Sequence, residues 1–424
     1  MTNSAPRGWN SFDSYGGFID EVAARANLER FAQRLRPHGY DYFVLDIGWY
    51  CEYDLLPGSL VPARSAPSGF RVDEYGRYLP SRTYFPSGLA ALAAQAHELG
   101  VRFGVHVMRG IPRVAVERRL PVLGTPYTAA DVADPSSGCR WCDYNVGVDM
   151  SRPGAQEYYD SWVALLASWG VDFIKADDIT RFPAEIDALA TAIQRSGRPM
   201  VLSLSPGNDT DHRYAGAYRR ADLVRTTSDI WDTRDDLDRA FRAWYAWPCG
   251  DGFWPDLDML CLGRLRVRVP ADAADIDDDL MAARHGKGRD RDCRLTPSQQ
   301  RTFVTLRAMA AAPLILGGDL VLTDDATFDL VTDPELLACQ GNGVVGRLRY
   351  AADGIEVWAT PRRDDPGSGW VGVFNRTTEA LLRTVPLGAL GLGRTPDEEL
   401  LVRLEPDDVR FTRYRTTGDS NGLT

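Results

Sequence analysis

Along most of the chain, runs with helical spacing of apolar positions close on a glycine and give way at once to short, nearly continuous apolar runs. HGYDYFVLDIGWY (38–50), ELGVRFGVHVMRG (98–110), SWGVDFIKADD (168–178) and SGRPMVLSLSPG (196–207) all follow this course. Glycine is the usual residue after a last helical turn, and a run that is apolar on both faces reads as a strand of a buried parallel sheet. GWNS (8–11), LVRTTSDIWD (223–232), DLDML near 256–260 and APLILGGD (312–319) bring the strand candidates to eight, each followed by a helical segment. Eight such units over about 320 residues predict an α/β fold of the (β/α)8 TIM-barrel type.

The connections are lopsided. Those entering strands are short, whereas 51–87, 109–154 and 262–295, which leave strands, are long and rich in Gly, Pro, aromatics or charge. Long loops on one face are expected of a barrel whose site lies at its C-terminal face. From about residue 340 the helical period vanishes. GVVGRLRY, GIEVWAT, GWVGVFN and DVRFTRY alternate apolar and polar positions between Gly, Pro and Asp, which predicts a small antiparallel β-sandwich. The expected division is a catalytic barrel over 1–335 and a C-terminal sandwich over 340–424, with a frayed end after 416.

Composition narrows the partners. A chain of 424 residues with a net charge of −11 and no Lys/Arg-rich run argues against a nucleic-acid partner. No apolar run approaches the roughly 20 residues that span a bilayer, and the N-terminus carries no signal-like segment, so the default expectation is the cytoplasm, with no membrane partner and room for a homo-oligomer. The seven cysteines are scattered and odd in number, against a disulfide framework. Cys139 and Cys142 form a lone C-x-x-C, better read as loop thiols than as a zinc site. Of the 48 basic residues only Lys175 and Lys287 are lysines. A lysine at a strand tip is therefore notable, because a compact ammonium and a planar guanidinium are not interchangeable.

The strand tips supply Trp9, Asn10 and Asp13, Asp46, His106 and Arg109, Lys175 and Asp177, Ser203 and Ser205, Arg225 and Asp229, Asp256 and Asp258, and Asp319. Several carboxylates, one Lys, one or two Arg and many aromatics suit a neutral polyhydroxylated ligand, whose C–H faces stack and whose hydroxyls bond carboxylates. Two carboxylates flanking a glycosidic bond can divide the work of nucleophile and general acid. The tips of the fourth and sixth strands are near neighbours around a barrel, so Asp177 and Asp229 can face each other. The alternatives for Asp229 are a helix N-cap or a surface partner of Arg225. The loop 271–292 holds Asp272, Asp275, Asp277, Asp278 and Asp279, then Arg284, His285, Lys287, Arg289 and Arg291. This reads as a charged flap, placed to cap the leaving-group side, rather than a metal site.

GWNSF (8–12), FVLDIGW, FIKADD, VRTTSDIWD, WPDLDML and APLILGGDL together resemble the barrel motifs of glycoside hydrolase family 27, the melibiase-type α-galactosidases. HVMRGIPR (106–113) is similar to a branch that includes β-L-arabinopyranosidase/α-galactosidase proteins. The resemblance implies a retaining exo-glycosidase for a small oligosaccharide or glycoside ending in an α-D-galactose-like sugar, without a cofactor or metal. It implies Asp177 as nucleophile and Asp229 as acid/base, with Trp9, Asp46, Ile47, His106, Arg109, Lys175, Ser205, Arg225 and Asp258 around the sugar. Arg225 would hold the 2-position, and Lys175 with Asp46 hydroxyls further round the ring. Where the family carries Asp-Asp this chain has Asp46-Ile47, and isoleucine cannot bond an exocyclic C6 hydroxyl; a β-L-arabinopyranoside, which lacks it, fits an apolar wall better. Phe12 replaces a stacking Trp, His106 stands where Tyr is common, Ser205-Pro-Gly is smaller than the usual segment, and the family's disulfide cysteines have no match. Two readings from other classes stand beside this one. A metal-dependent barrel hydrolase is disfavoured by five histidines (38, 97, 106, 212, 285) without an H-x-H pair, and a non-catalytic sugar-binding protein by the presence of both carboxylates.

Overall fold

The computed structural model describes residues 4–206, 210–247, 253–273 and 289–416. Eight parallel strands form its centre: β1 (Arg7–Asn10), β2 (Tyr42–Leu45), β3 (Arg102–Met108), β4 (Phe173–Asp177), β5 (Val201–Leu204), β6 (Leu223–Arg225), β7 (Trp254–Asp256) and β8 (Leu314–Leu316). They pair in the order β7-β6-β5-β4-β3-β2-β1-β8. The ring closes through a parallel bridge from Leu260 to Leu316, with the Leu260 amide on the Ile315 carbonyl at 2.7 Å and the Gly317 amide on the Leu260 carbonyl at 2.9 Å. The seventh strand is thus shifted from its expected place at 256–260. Asp258 takes a left-handed backbone (φ 68°), which ends the regular run at Asp256 and lets Leu260 alone reach β8.

Helices pack outside this ring: α1 (Glu21–Arg34), α2 (Leu89–Glu98), α3 (Ala155–Ser168), α4 (Pro183–Ser196), the single turn α5 (Ala215–Tyr218), α6 (Arg234–Ala246), α7 (Pro297–Met309), α8 (Asp325–Val331) and α9 (Pro334–Gly341). The glycines that close the strand-entering turns, Gly39, Gly100, Gly170 and Gly197, all have φ between 71° and 85°, a conformation that a Cβ disfavours. That is the physical content of the helix–Gly–strand pattern. The long strand-leaving connections carry small hairpins of their own, Cys51–Glu52 with Gly69–Phe70 and a three-stranded piece built from Ile111–Pro112, Ala133–Gly138 and Asn145–Val148.

Helix persists through Gly341, and antiparallel strands begin at Arg347. One sheet orders β9 (Arg347–Ala352), β10 (Ile355–Pro361), β11 (Ser368–Asn375) and β14 (Val409–Arg415); a two-stranded sheet pairs β12 (Leu381–Val385) with β13 (Leu400–Leu404). Val357, Val371 and Val373 from the first share a core with Val385, Val402 and Leu404 from the second, so the unit is a small sandwich. It is fastened to the barrel by apolar contact. Trp244 of α6 stacks on Trp358 of β10 at 3.7 Å, and Phe241 meets Phe374 edge-on at 5.2 Å. Around this contact Arg234 pairs with Asp407 and Arg301 with Asp408, both at 2.9 Å. Replacing Trp358 by Ala removes a buried ring from this seam and is expected to cost about 3–5 kcal/mol. Chemical denaturation followed by tryptophan fluorescence measures it, and a loss confined to a few tenths of a kcal/mol contradicts the seam's role.

Candidate active site

The strand tips meet around a cavity of about 760 Å3. Asp46 and Ile47 after β2, Lys175 and Asp177 of β4, Arg225 of β6 with Asp229 four residues on, and Asp258 after β7 line it. Sheet register decides which tips reach it. Lys175 lies level with His106 and Ser203, and Asp177 with Met108. Lys175 and Asp177, two apart on one strand, point to the same side.

Asp177 is fixed on both oxygens. Its Oδ1 accepts the Asp178 amide at 2.8 Å, and its Oδ2 faces His106 Nε2 at 3.3 Å. Burial works to raise its pKa, but the His106 hydrogen bond and the charges of His106, Arg225 and Lys175 outweigh it and the net shift is downward. Asp46 is anchored more tightly. Its Oδ2 accepts from Lys175 Nζ at 2.7 Å and Asn10 Nδ2 at 2.8 Å, and its Oδ1 from the Ile47 amide at 2.8 Å. Burial again opposes ionisation, and Lys175 above all overrides it, holding Asp46 well below the usual carboxylate range. Lys175 responds in kind: burial disfavours its charge, yet Asp46 and then Asp177 raise it.

Asp229 is placed differently. Its Oδ1 pairs with Arg225 Nη2 at 2.8 Å, but its side chain keeps 43% of its surface open. Crowding by the protein raises its pKa; Arg225 pulls the other way, and the like charges of Asp258 and Asp177 add to the rise. The N-cap of α6 is Thr233, so Asp229 is not a helix cap; it does pair with Arg225, and that pair lies inside the cavity. Arg225 also reaches Asp258 at 3.4 Å and the Pro206 carbonyl at 3.1 Å, while Asp258 accepts the Ile230 amide at 2.8 Å. Asp13, beside this group, has its pKa pushed up to about 8, first by burial and then by Asp258.

Four residues expected around the sugar are not among those that line the cavity. Trp9 is fully buried, stacks on Phe43 at 4.6 Å and donates its indole N–H to the Gly318 carbonyl at 2.7 Å; it is packed beneath the cavity, not in its wall. Arg109 turns away from the cavity because acids behind it hold its guanidinium, Glu185 at 2.7 Å and Asp178 at 3.1 Å, over the Phe182 ring at 3.5 Å. Ser205 is buried, its amide on the Ala176 carbonyl at 2.8 Å, and Pro206 lines the cavity in its place. His106 is fully buried and acts on Asp177 instead of the wall.

Sequence reading missed Tyr53, Trp141, Tyr144, Trp231, Arg239 and Met259, all in the lining. Trp231 sits inside a motif already singled out; Tyr53, Trp141 and Tyr144 come from long loops with no periodicity to place them. Cys139 and Cys142 lie in the same loop, and burial pushes both thiols up to about 12. Of the charged loop, residues 274–288, including Asp275, Asp277, Asp278, Asp279, Arg284, His285 and Lys287, lie outside the described residues. Its near end is tied to the mouth: Asp272 accepts from the Ser65 amide at 3.0 Å and hydroxyl at 2.7 Å, and Ser65 lines the cavity.

No family model matches the chain. Among solved structures, a β-L-arabinopyranosidase of glycoside hydrolase family 27 from Geobacillus stearothermophilus is 35% identical, with a TM-score of 0.86 over 100% of this chain and 98% of that one; a variant of that enzyme has been solved with arabinose. A Bacillus halodurans protein provisionally named an α-N-acetylgalactosaminidase is 34% identical, with a TM-score of 0.81 over 97% of each chain. The α-galactosidase of Cyamopsis tetragonoloba is 24% identical over 409 residues, 94% of this chain and 79% of that one.

Replacing Lys175 by Met leaves Asp46 buried without its cation and is expected to cost about 3–5 kcal/mol near neutral pH. The sign of the pH dependence follows from Asp46. Its lowered pKa gives stability that is present above the unfolded carboxylate pKa and lost as pH falls through the folded one. The gap between wild type and variant should therefore be widest at neutral pH and narrow in acid; thermal melts across pH 3–8 measure it, and a constant gap refutes the pairing.

Proposed function

The chain belongs to glycoside hydrolase family 27, and from that footing we propose that it is a retaining exo-glycosidase acting on a terminal α-D-galactose-like sugar, with β-L-arabinopyranosides preferred. One observation carries the mechanism: two carboxylates line one cavity in different settings, Asp177 buried and held on both oxygens, Asp229 paired with Arg225 and half open; these settings shift Asp177 down and Asp229 up, as suits a nucleophile beside a general acid. In the first step Asp177 attacks the anomeric carbon while Asp229 gives its proton to the departing glycosidic oxygen. The C–O bond breaks and an ester to Asp177 forms. In the second step Asp229, now a carboxylate, takes a proton from water, the hydroxide portion attacks the same carbon, and Asp177 leaves ionised. Two inversions return the original anomer. Fixed hydrogen bonds on both Asp177 oxygens spare the site a reorganisation as charge moves.

The choice of sugar rests on Ile47. α-D-galactopyranose and β-L-arabinopyranose share ring configuration and differ by the hydroxymethyl group on C5. Ile47 lines the cavity beside Asp46, and its backbone has no room to retreat, since a Cβ on the neighbouring Gly48 would lie 2.2 Å from the Gly17 carbonyl oxygen. An apolar branched side chain there leaves a hydroxymethyl oxygen without a partner. The arabinose-bound relative in the same family supports this choice.

Asp177→Asn is expected to abolish turnover of nitrophenyl glycosides while the protein still folds. Wild-type activity should fall in acid as Asp177 protonates and fall at high pH as Asp229 deprotonates; Asp229→Asn should lose about 10^2–10^4-fold on poor leaving groups and lose the alkaline limb. Ile47→Asp is expected to move the ratio of kcat/KM for β-L-arabinopyranoside over α-D-galactoside by about 10–200-fold toward the galactoside. Steady-state kinetics on the paired substrates measure each, and NMR of the first-formed product reads the anomer. An inverted product overturns the two-step mechanism, and an unchanged sugar ratio overturns the role of Ile47.

A further inference from the structure

Asp229 stands where the barrel gives it no regular support. β6 ends at Arg225 and α6 begins at Arg234, and residues 226–233 between them belong to no helix or strand. A catalytic group misplaced by about 1 Å can lose about 100-fold in rate, so this segment has to be held by side chains. Its first part is held from the cavity side. The Thr226 amide donates to the Asp256 carbonyl, Arg239 Nη1 to the Asp229 carbonyl and the Ile230 amide to Asp258 Oδ2, each at 2.8 Å. Cys261 Sγ faces the Ile230 carbonyl at 3.1 Å.

Its far part is held from behind by Asp232. This carboxylate is wholly enclosed, and three N–H groups converge on it. Arg291 forks over both oxygens, Nη1 to Oδ2 at 2.5 Å and Nη2 to Oδ1 at 2.9 Å, and the Arg294 amide donates to Oδ2 at 2.9 Å. A two-pronged pair fixes orientation as well as distance. Arg291 is anchored in turn. Arg291–Asp292 pairs with Arg264–Leu265 in an antiparallel ribbon made by the two ends of the 262–295 connection. The ribbon is stitched to the barrel just past β8, where the Asp319 amide donates to the Arg264 carbonyl at 2.8 Å. Leu265 of the ribbon packs with Trp231 and Cys261 in a small buried cluster. A chain of fixed contacts therefore runs from β8 through the ribbon to Asp232, three residues from Asp229.

We infer that the Asp232–Arg291 pair positions the general acid: it fixes the segment that aims Asp229 at the departing oxygen. The inference rests on the glycosidase reading above, with Asp229 as acid/base. Neither Asp232 nor Arg291 lines the cavity, so both are positioning residues and not catalytic ones. A buried ion pair is weak evidence of added stability, and what its fork contributes here is one geometry. The consequence is specific. A misaimed Asp229 costs rate in proportion to the proton that the leaving group needs, so damage to the pair should grow as the leaving group worsens.

The test uses three donors of whichever glycone the wild type prefers: the glycosyl fluoride, which departs without a proton, the 4-nitrophenyl glycoside, and the methyl glycoside, whose alkoxide needs a proton most. Arg291→Met is expected to lower kcat/KM on the methyl glycoside about 10–100-fold, to lower it less on the nitrophenyl glycoside, and to leave it near wild type on the fluoride. On the fluoride kcat and KM should fall together, because a misaimed Asp229 also slows the water step and the ester accumulates. Arg291→Lys keeps a cation without the fork and should show a smaller loss of the same pattern. Arg291→Met strands a buried charge, so the double variant Asp232→Asn/Arg291→Met is made beside it; it leaves no charge unpaired and should show the same dependence on leaving group. An equal loss on all three donors, or wild-type kcat/KM on the methyl glycoside, overturns the positioning role. Asp229→Asn is run in parallel. If it shows no dependence on leaving group, the acid/base reading falls and this inference with it; a graded loss in Asp229→Asn beside an ungraded one in Arg291→Met overturns the pair alone.

Discussion

Asp46, Asp177, Asp229 and Asp258 crowd one cavity, and such a set of acids stays charged only where cations and donors are supplied. Lys175 and Arg225 supply them unevenly. Lys175 bonds Asp46 directly at 2.7 Å and acts on Asp177 through space, while Arg225 divides itself between Asp229 at 2.8 Å and Asp258 at 3.4 Å. The arithmetic leaves Asp177, with the extra hydrogen bond from His106, on the ionised side. It shifts Asp229, crowded by the protein and facing the like charges of Asp258 and Asp177, toward its protonated form. In the proposed mechanism the division of labour between Asp177 and Asp229 follows from this imbalance.

The barrel is the device that brings those charges to one level. Parallel register puts His106 of β3 beside Lys175 of β4 and Met108 beside Asp177, so a residue two positions along one strand serves a neighbour on the next. The ionic cluster behind the wall has a different task. Arg109, Glu185, Asp178 and Tyr159 bind one another and hold the β4 tip, where Asp178 adopts φ 56°. From that position the Asp178 amide donates to Asp177 Oδ1 at 2.8 Å.

Much of this was legible in the chain. The helix–Gly–strand recurrence located the barrel because each glycine has a backbone angle that other residues resist. FIKADD and VRTTSDIWD pointed to the two carboxylates because charges at the end of a buried strand need either a cavity or a buried partner. What could not be read was direction. Arg109 sits at a strand tip just as Lys175 does, and only the acids packed around each decide that one faces the cavity and the other faces away. Trp9 opens a motif but is consumed by packing against Phe43. Trp141 lies between Cys139 and Cys142, a spacing read only as loop thiols, and no period in that loop places its ring on the cavity.

The central claim is that Asp177 becomes esterified to the sugar. The most direct measurement is to trap the enzyme with a 2,2-difluorinated glycoside bearing a good leaving group, digest it and locate the label by mass spectrometry. One glycosyl mass on the peptide containing FIKADD, assigned to Asp177 and absent after prior incubation with free sugar in excess, is the predicted result. A label on another carboxylate, or rapid turnover with no covalent adduct and an inverted product, would contradict the account.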